Sequence, residues 1–205
     1  MRIGVDFDNT LACYDGVFHA IAMERGLIPT GLPSDKTSVR DYLRAQGQDP
    51  VFTELQGYVY GPGMQRVSPY PGARHVLRGL AAAGHDVFLI SHKTRAPFVG
   101  PAYDLHEWAW RFLAQHALID APDAPFRSAD ICFELTREAK LARIAQRQCD
   151  VFLDDLPEVL AAPGFPPAAR GILFDPEHNY PDGMWQGRRF ERCTDWISAG
   201  RLVGI

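Results

Sequence analysis

Residues 3–12 read IGVDFDNTLA, a short apolar run that ends in two aspartates, Asp6 and Asp8. The run is rich in β-forming residues and has the length of a buried strand. Two carboxylates this close repel each other, and a structural turn does not need both. The stretch therefore predicts a buried first strand whose carboxyl end carries charges that a cation must balance.

The chain after residue 69 alternates short apolar runs with amphipathic helical patterns. Further strands are predicted over residues 85–91, 129–135, 149–155 and 170–176, with helices between them. Continuous apolar strands that alternate with helices are typical of a parallel sheet covered on both faces. The sequence therefore predicts an α/β, Rossmann-like core.

The stretch between the first strand and this regular part has a different pattern. Residues 13–69 contain helical and loop patterns but no strand runs like those of the rest. We therefore predict a small helical insert after strand one, formed by residues 13–69, on a core formed by residues 1–12 and 70–205.

Composition and charge restrict the classes of partner. The 205 residues carry a net charge of −4, so the basic excess of a nucleic-acid or membrane-surface binder is missing. Charges interrupt the amino terminus, no apolar run reaches the roughly 18 residues of a membrane span, and the four cysteines are scattered like reduced thiols. These features predict a cytoplasmic protein that binds neither nucleic acid polymers nor membranes.

Polar residues gather at the predicted carboxyl ends of the strands, where parallel α/β sheets bind their ligands. They are Asp6, Asp8 and Thr10 after the first strand, Ser91, His92, Lys93 and Thr94 at the second, and Asp154 and Asp155 at the 149–155 strand. Lys140 lies near the start of the preceding helix, with Thr136 as its predicted N-cap. Clustered carboxylates with no histidine or cysteine pattern beside them indicate a Mg²⁺ site.

Four of these segments together resemble the motifs of the haloacid dehalogenase (HAD) superfamily. DFDNT at 6–10 resembles its first motif, DxDx[TV] after strand one, and FLIS at 88–91 resembles its second. Lys140 resembles the third motif and FLDD at 152–155 the fourth, in the family's order and over most of the chain. The resemblance implies the HAD fold, with the insert acting as a cap over the active site.

The resemblance also implies roles for these residues in a covalent phosphatase mechanism. Asp6 is the implied nucleophile, and Asp8 is the implied general acid and base. Mg²⁺ is expected on Asp6, on the backbone carbonyl of Asp8 and on the fourth-motif carboxylate. The expected phosphate-binding residues are Ser91, Lys140, Asn9, Thr10 and His92.

Several alternatives stay open at this stage. Either Asp154 or Asp155 can hold the metal, and Lys93 is a rival to Lys140 as the phosphate lysine. The segments ISHKT and DDLPEV resemble those of small deoxyribonucleotidases, so a nucleoside monophosphate is the first substrate hypothesis and a sugar phosphate the second. A phosphomutase or phosphotransferase, or a non-catalytic phospho-ligand module, could share this core. The expected partner is a small phosphorylated metabolite.

Overall fold

A computed structural model describes residues 1–181 and 190–205 of the chain. The strands in chain order are β1 (Arg2–Val5), β2 (Ala12–Cys13), β3 (Ser68–Pro69), β4 (Asp86–His92), β5 (Ile131–Glu134), β6 (Val151–Asp154), β7 (Arg170–Phe174) and β8 (Phe190–Cys193). The helices are α1 (Val17–Glu24), α2 (Lys36–Ala45), α3 (Asp49–Tyr60), α4 (Ala73–Ala82), α5 (Leu105–Gln115), α6 (Arg137–Gln146), α7 (Pro157–Leu160) and α8 (Trp196–Val203).

The chain divides into two compact units. The first comprises Met1–Ala12, Pro69–Lys93 and His116–Ile205, and the second comprises Cys13–Ser68 and Thr94–Gln115. The predicted division placed all of residues 70–205 in the core, whereas the structure places Thr94–Gln115 in the second unit. The short strands β2 and β3 pair in a sheet of their own, and each crosses a boundary between the units.

The first unit is built on a six-stranded sheet with the order β5-β4-β1-β6-β7-β8. Each neighbouring pair is parallel, which confirms the predicted α/β class. The register puts Val5 of β1 level with Leu89 of β4 and Leu153 of β6. The residues that follow Val5 therefore emerge between the carboxyl ends of the two neighbouring strands. The edge strand β8 belongs to the carboxyl-terminal residues 184–205, for which the sequence predicts a short strand or loop followed by a final helix.

Both faces of this sheet are covered by apolar side chains from helices. On one face, Ile3 and Val5 lie with residues of α4 and α8 around a small apolar gap. On the other face, Phe152 of β6 packs with Leu141 and Ile144 of α6 in a buried cluster. The alternation of side chains along β1 and β6 thus serves two layers of helices, as the continuous apolar runs predicted.

A glycine permits the close approach between β1 and β6 on the second face. A Cβ atom at Gly4 would lie 2.5 Å from Cδ2 of Phe152 and 3.0 Å from Sγ of Cys149. Real Cβ atoms do not approach aromatic carbons that closely, so only glycine lets the Phe152 ring lie against β1.

The second unit consists of α1, α2, α3 and α5 with a short 3₁₀ helix at Pro62–Arg66. Its interior contains an aromatic group in which Phe18 lies 6.1 Å from Phe52 and 5.9 Å from Tyr60, measured between ring centroids. The segment before α5 also packs here, with the Tyr103 ring 6.2 Å from that of Tyr58. Among the residues that the structure describes, no helix is both long and apolar enough to cross a membrane.

Candidate active site

Three aspartates at the carboxyl ends of β1 and β6 form an acidic group. Asp6 directly follows β1, and its backbone N–H donates to the carbonyl of Leu153 at 2.9 Å, which continues the β1–β6 pairing. Asp154 ends β6 and Asp155 follows it. One carboxylate oxygen from each of the three lies within 4.8 Å of the others. The parallel register thus brings together the first and fourth sequence motifs.

Lys140 joins two of these aspartates. Its Nζ donates to Oδ1 of Asp6 and to Oδ2 of Asp154, each at 2.6 Å, and all three side chains are less than a tenth exposed. Helix α6 begins after Thr136, whose Oγ1 accepts the Ala139 N–H at 3.1 Å, as predicted for the N-cap. The first turn of α6 therefore delivers an ammonium group from a buried helix face into the acidic group.

Burial of these charges shifts their protonation. Burial raises the pKa of Asp6 from 3.8 to about 7; attraction to Lys140 opposes this shift and repulsion from Asp154 adds to it. Burial, followed by repulsion from Asp154 and Asp6, also raises the pKa of Asp155. Burial alone lowers the pKa of Lys140, but attraction to Asp154 and Asp6 outweighs it and the pKa rises. The raised pKa values of Asp6 and Asp155 indicate that Lys140 alone does not balance the negative charge of the three aspartates.

Asp8 is held by a different lysine. Nζ of Lys93 donates to Oδ1 and Oδ2 of Asp8 at 3.0 and 2.9 Å. Lys93 is 2% exposed in its side chain, whereas Asp8 is 19% exposed. The structure thus separates the two lysines that the sequence left as rivals, with Lys140 on Asp6 and Lys93 on Asp8.

The loop after β1 is fixed by its own backbone and by α8. The N–H groups of Leu11 and Ala12 both donate to the carbonyl of Phe7, and Asn9 takes a left-handed φ of 57° at the turn. The indole Nε1 of the buried Trp196 donates to the carbonyl of Thr10 at 3.0 Å. Asp6 and Asp8 therefore stand on a tight, supported turn.

The remaining predicted site residues have different surroundings. Thr10 is fully buried, and its Oγ1 donates to Oδ1 of Asp155 at 3.4 Å. Ser91 is buried near the end of β4, whereas His92 at the next position is exposed. Asn9 is half-buried beside Asp8. The structure thus brings Thr10 into the acidic group and leaves His92 on the surface.

The donor set fits a hard divalent cation. The acidic group offers carboxylate oxygens only, the ligands that Mg²⁺ prefers. When all are ionised, the four aspartates of the site exceed the two buried ammonium groups by two negative charges. A divalent cation would cancel this excess, and Asp154 and Asp155 are both placed to share it with Asp6.

Sequence reasoning passed over one buried carboxylate at the same edge of the sheet. Asp175 follows β7 and is 2% exposed; it accepts the Asn179 N–H at 2.8 Å and pairs with Nη2 of Arg192 at 2.6 Å. Its place after an apolar strand was the same signal that singled out Asp6. The sequence also offers Arg188, Arg189 and Arg192 as phosphate contacts, with surface exposure as the default for arginine, and of these Arg188 and Arg189 lie outside the described residues.

Solved structures with a similar fold are found, whereas comparisons with family models and curated proteins find no match. Among solved structures, a HAD family hydrolase from Deinococcus radiodurans R1 with bound phosphate and sodium is 20% identical, with 98% of this chain and 94% of that chain covered and a TM-score of 0.58. A dehalogenase is 13% identical, with 98% and 96% covered and a TM-score of 0.59.

A third similar structure is the HAD hydrolase YfnB from Bacillus subtilis bound to magnesium. It is 10% identical, with 100% of this chain and 98% of that chain covered and a TM-score of 0.57. At these identities the likeness concerns the fold. The chain has the HAD fold, which confirms the fold that the four motifs implied, and the closer likeness to deoxyribonucleotidases stays a prediction.

Proposed function

We propose that the chain is a Mg²⁺-dependent phosphomonoesterase that acts through an aspartyl-phosphate on Asp6. One observation carries the proposal. Asp6 lies in a group of carboxylates that could hold a cation, while the second aspartate of the same turn, Asp8, lies outside that group and binds a lysine of its own. One carboxylate is thereby available as a nucleophile and the other for proton transfer.

The reaction follows from these two placements. An Asp6 carboxylate oxygen attacks phosphorus, the ester P–O bond breaks, and the leaving oxygen takes a proton from Asp8 to become an alcohol. Water then attacks the phosphorus of the aspartyl-phosphate, Asp8 takes a proton from that water, and the bond from Asp6 to phosphorus breaks. Inorganic phosphate, the Asp6 carboxylate and an Asp8 that again carries its proton result, so the protein returns to its starting state. Lys140 and Ser91 are the proposed contacts to the phosphoryl oxygens, with Asn9, Thr10 and His92 as further proposed contacts.

A bound Mg²⁺ would be held by Asp6, by Asp154 or Asp155 and by the backbone carbonyl of Asp8, and it would neutralise phosphate charge. The protein itself supplies the carboxylates of Asp6, Asp154 and Asp155, whose combined negative charge Lys140 does not fully balance. The raised pKa of Asp6, caused first by burial, supports this assignment because such a carboxyl is only partly ionised at neutral pH, and a bound cation would favour its ionised form.

The proposed substrate is a small phosphorylated metabolite, first a nucleoside monophosphate and second a sugar phosphate. The ISHKT and DDLPEV segments, which resemble those of small deoxyribonucleotidases, support the first. The second unit is the proposed cap, and the proposed location is the cytoplasm. Asp8 favours phosphoryl chemistry over dehalogenation because a halide leaves without a proton, whereas an alkoxide needs one.

The test is phosphate release with Mg²⁺ across a panel of nucleoside monophosphates and sugar phosphates, with 2-haloacids assayed in parallel. We expect turnover of a phosphomonoester that chelation abolishes and that Asp6→Asn reduces by at least about 10³-fold, the loss typical of a missing nucleophile. Asp123→Asn is the matched control, because it removes a 63% exposed carboxylate from an ion pair with Arg78 and leaves turnover unchanged.

Three outcomes would contradict the proposal. Halide release without phosphate release would make the protein a dehalogenase. Transfer of the phosphoryl group to a second substrate molecule, with no free phosphate, would make it a phosphotransferase or phosphomutase. An absence of turnover with all panel members would favour a binding role.

A further inference from the structure

The chain uses lysine sparingly, and two of its lysines are buried in the candidate active site. Of the 21 Lys and Arg residues only Lys36, Lys93 and Lys140 are lysines. Lys93 and Lys140 are 3% and 2% exposed. Lysine is a compact point charge that fits where the planar fork of arginine does not. Arginine fills nearly all cationic positions of the chain, yet among the residues that the structure describes both fully buried cations beside aspartates are lysines.

The mechanism proposed above uses Lys140 but leaves Lys93 without a part. Burying an ammonium group is costly unless a partner compensates it. The described partner is the carboxylate of Asp8, with both oxygens bound at 3.0 and 2.9 Å. An ammonium group that binds both oxygens of one carboxylate restricts the rotation of that carboxylate.

Two contacts besides those with Asp8 fix the place of Lys93. Its backbone N–H donates to the carbonyl of Glu134 at 2.8 Å, which continues the pairing of β4 with β5. Its Nζ lies 5.2 Å from the ring centroid of Phe7, a fully buried residue between Asp6 and Asp8. The Phe7 ring in turn packs edge-on against Phe133 at 5.8 Å. The backbone of Lys93 is thus fixed by β5 and its ammonium group contacts the Phe7 ring, while the same ammonium group binds the more exposed Asp8.

We propose that Lys93 is a positioning residue for Asp8, which orients this carboxylate for proton transfer in both half-reactions. The proposal rests on the phosphomonoesterase function proposed above. Lys93 binds both oxygens and keeps them from turning toward the acidic group of Asp6, Asp154 and Asp155. Asp8 takes a proton from water in the hydrolysis step and gives it to the next leaving alcohol, and Lys93 transfers no proton itself.

The dependence on the leaving group tests this role. An alkyl phosphate needs a proton on its leaving oxygen, whereas p-nitrophenyl phosphate releases a stable phenolate and needs little help. Misplacing a reacting group by about 1 Å costs about 10²-fold. We therefore expect Lys93→Met to lower kcat/KM for β-glycerophosphate by about 100-fold and for p-nitrophenyl phosphate by less than about fivefold.

A double-mutant cycle tests whether Lys93 acts through Asp8. In the Asp8→Asn background we expect Lys93→Met to change kcat/KM for either ester by less than about threefold, because the residue it positions is already gone. The comparison of Asp8→Asn with Asp8→Asn/Lys93→Met can also be made if Lys93→Met alone folds poorly, because the double variant leaves no unpaired buried charge at these two positions. Arg66→Met is the control, because it removes a 43% exposed cation from a surface pair with Glu24.

The possible results separate this proposal from the function on which it rests. Equal losses with the two esters, or a full additional loss in the Asp8→Asn background, would overturn the role of Lys93 while phosphatase activity stands. Wild-type protein that releases no phosphate from either ester would overturn the proposed function itself.

Discussion

The buried contacts of Lys140 yield a stability prediction that needs no substrate. Lys140→Met removes the ammonium group that binds both Asp6 and Asp154, and no other cation is among the described hydrogen-bond partners of these two carboxylates. The methionine side chain has a similar length. Nζ makes two hydrogen bonds of 2.6 Å, and a hydrogen bond to a charged group contributes about 1.5–3 kcal/mol. Breaking a buried ion pair by removing one partner costs about 3–5 kcal/mol.

Part of this cost is relieved by a proton. Because the pKa of Asp6 is already raised to about 7 by burial, its carboxyl group can become neutral near that pH when Lys140 is lost. We therefore expect a net loss of about 3 kcal/mol in the free energy of unfolding at pH 7. For a protein of this size that corresponds to a fall in Tm of roughly 6–12 °C.

The assay is urea and thermal unfolding in the presence of a chelator, so that no cation compensates the charge. The double variant Lys140→Met/Asp154→Asn should recover at least about 1 kcal/mol relative to Lys140→Met, because it removes one of the uncompensated carboxylates. Arg66→Met, which breaks an exposed pair with Glu24, should leave the free energy of unfolding nearly unchanged. A Lys140→Met variant within about 1 kcal/mol of wild type would refute the buried-pair reasoning.

Three further predictions concern pH, metal and packing. Between pH 4 and 7 only the unfolded chain releases the Asp6 proton, so the metal-free protein should become less stable as pH rises, by up to about 4 kcal/mol, measured as a falling urea midpoint; a rising midpoint would contradict this. At pH 7.5 Mg²⁺ should raise Tm in wild type and much less in Asp6→Asn/Asp155→Asn; equal shifts would place the cation elsewhere. Gly4→Ala should cost about 1–3 kcal/mol in urea unfolding, because its Cβ would lie 2.5 Å from the Phe152 ring; an unchanged midpoint would mean that β1 and β6 separate easily.

Much of the fold could be predicted from local pattern. The strands around Gly4, Phe88 and Phe152 are continuous apolar runs. The N-cap residue Thr136 and the spacing of apolar residues predict α6. Helix α5 was also visible, but an amphipathic pattern does not say which surface its apolar face meets. That is why Thr94–Gln115 was assigned to the core in sequence and lies in the second unit in the structure.

The same distinction holds for the candidate site. Strand ends could be read from the sequence, and parallel pairing brings such ends to one edge, so the meeting of Asp6 with Asp154 was predictable. Asp175 carried the same signal at the end of β7, and the rarity of lysine in the chain could have singled out Lys93 and Lys140 together.

By itself, then, the sequence determined the parallel α/β class and the set of charged groups at one edge of the sheet, because apolar runs and helical spacing are patterns among residues close together in the chain. Only the tertiary structure decided that Lys140 binds Asp6 and Asp154 while Lys93 binds Asp8. The physical reason is reach: a lysine side chain can meet any carboxylate within several ångströms. Which one it meets depends on the register of β1 with β4 and β6 and on how α6 packs against the sheet.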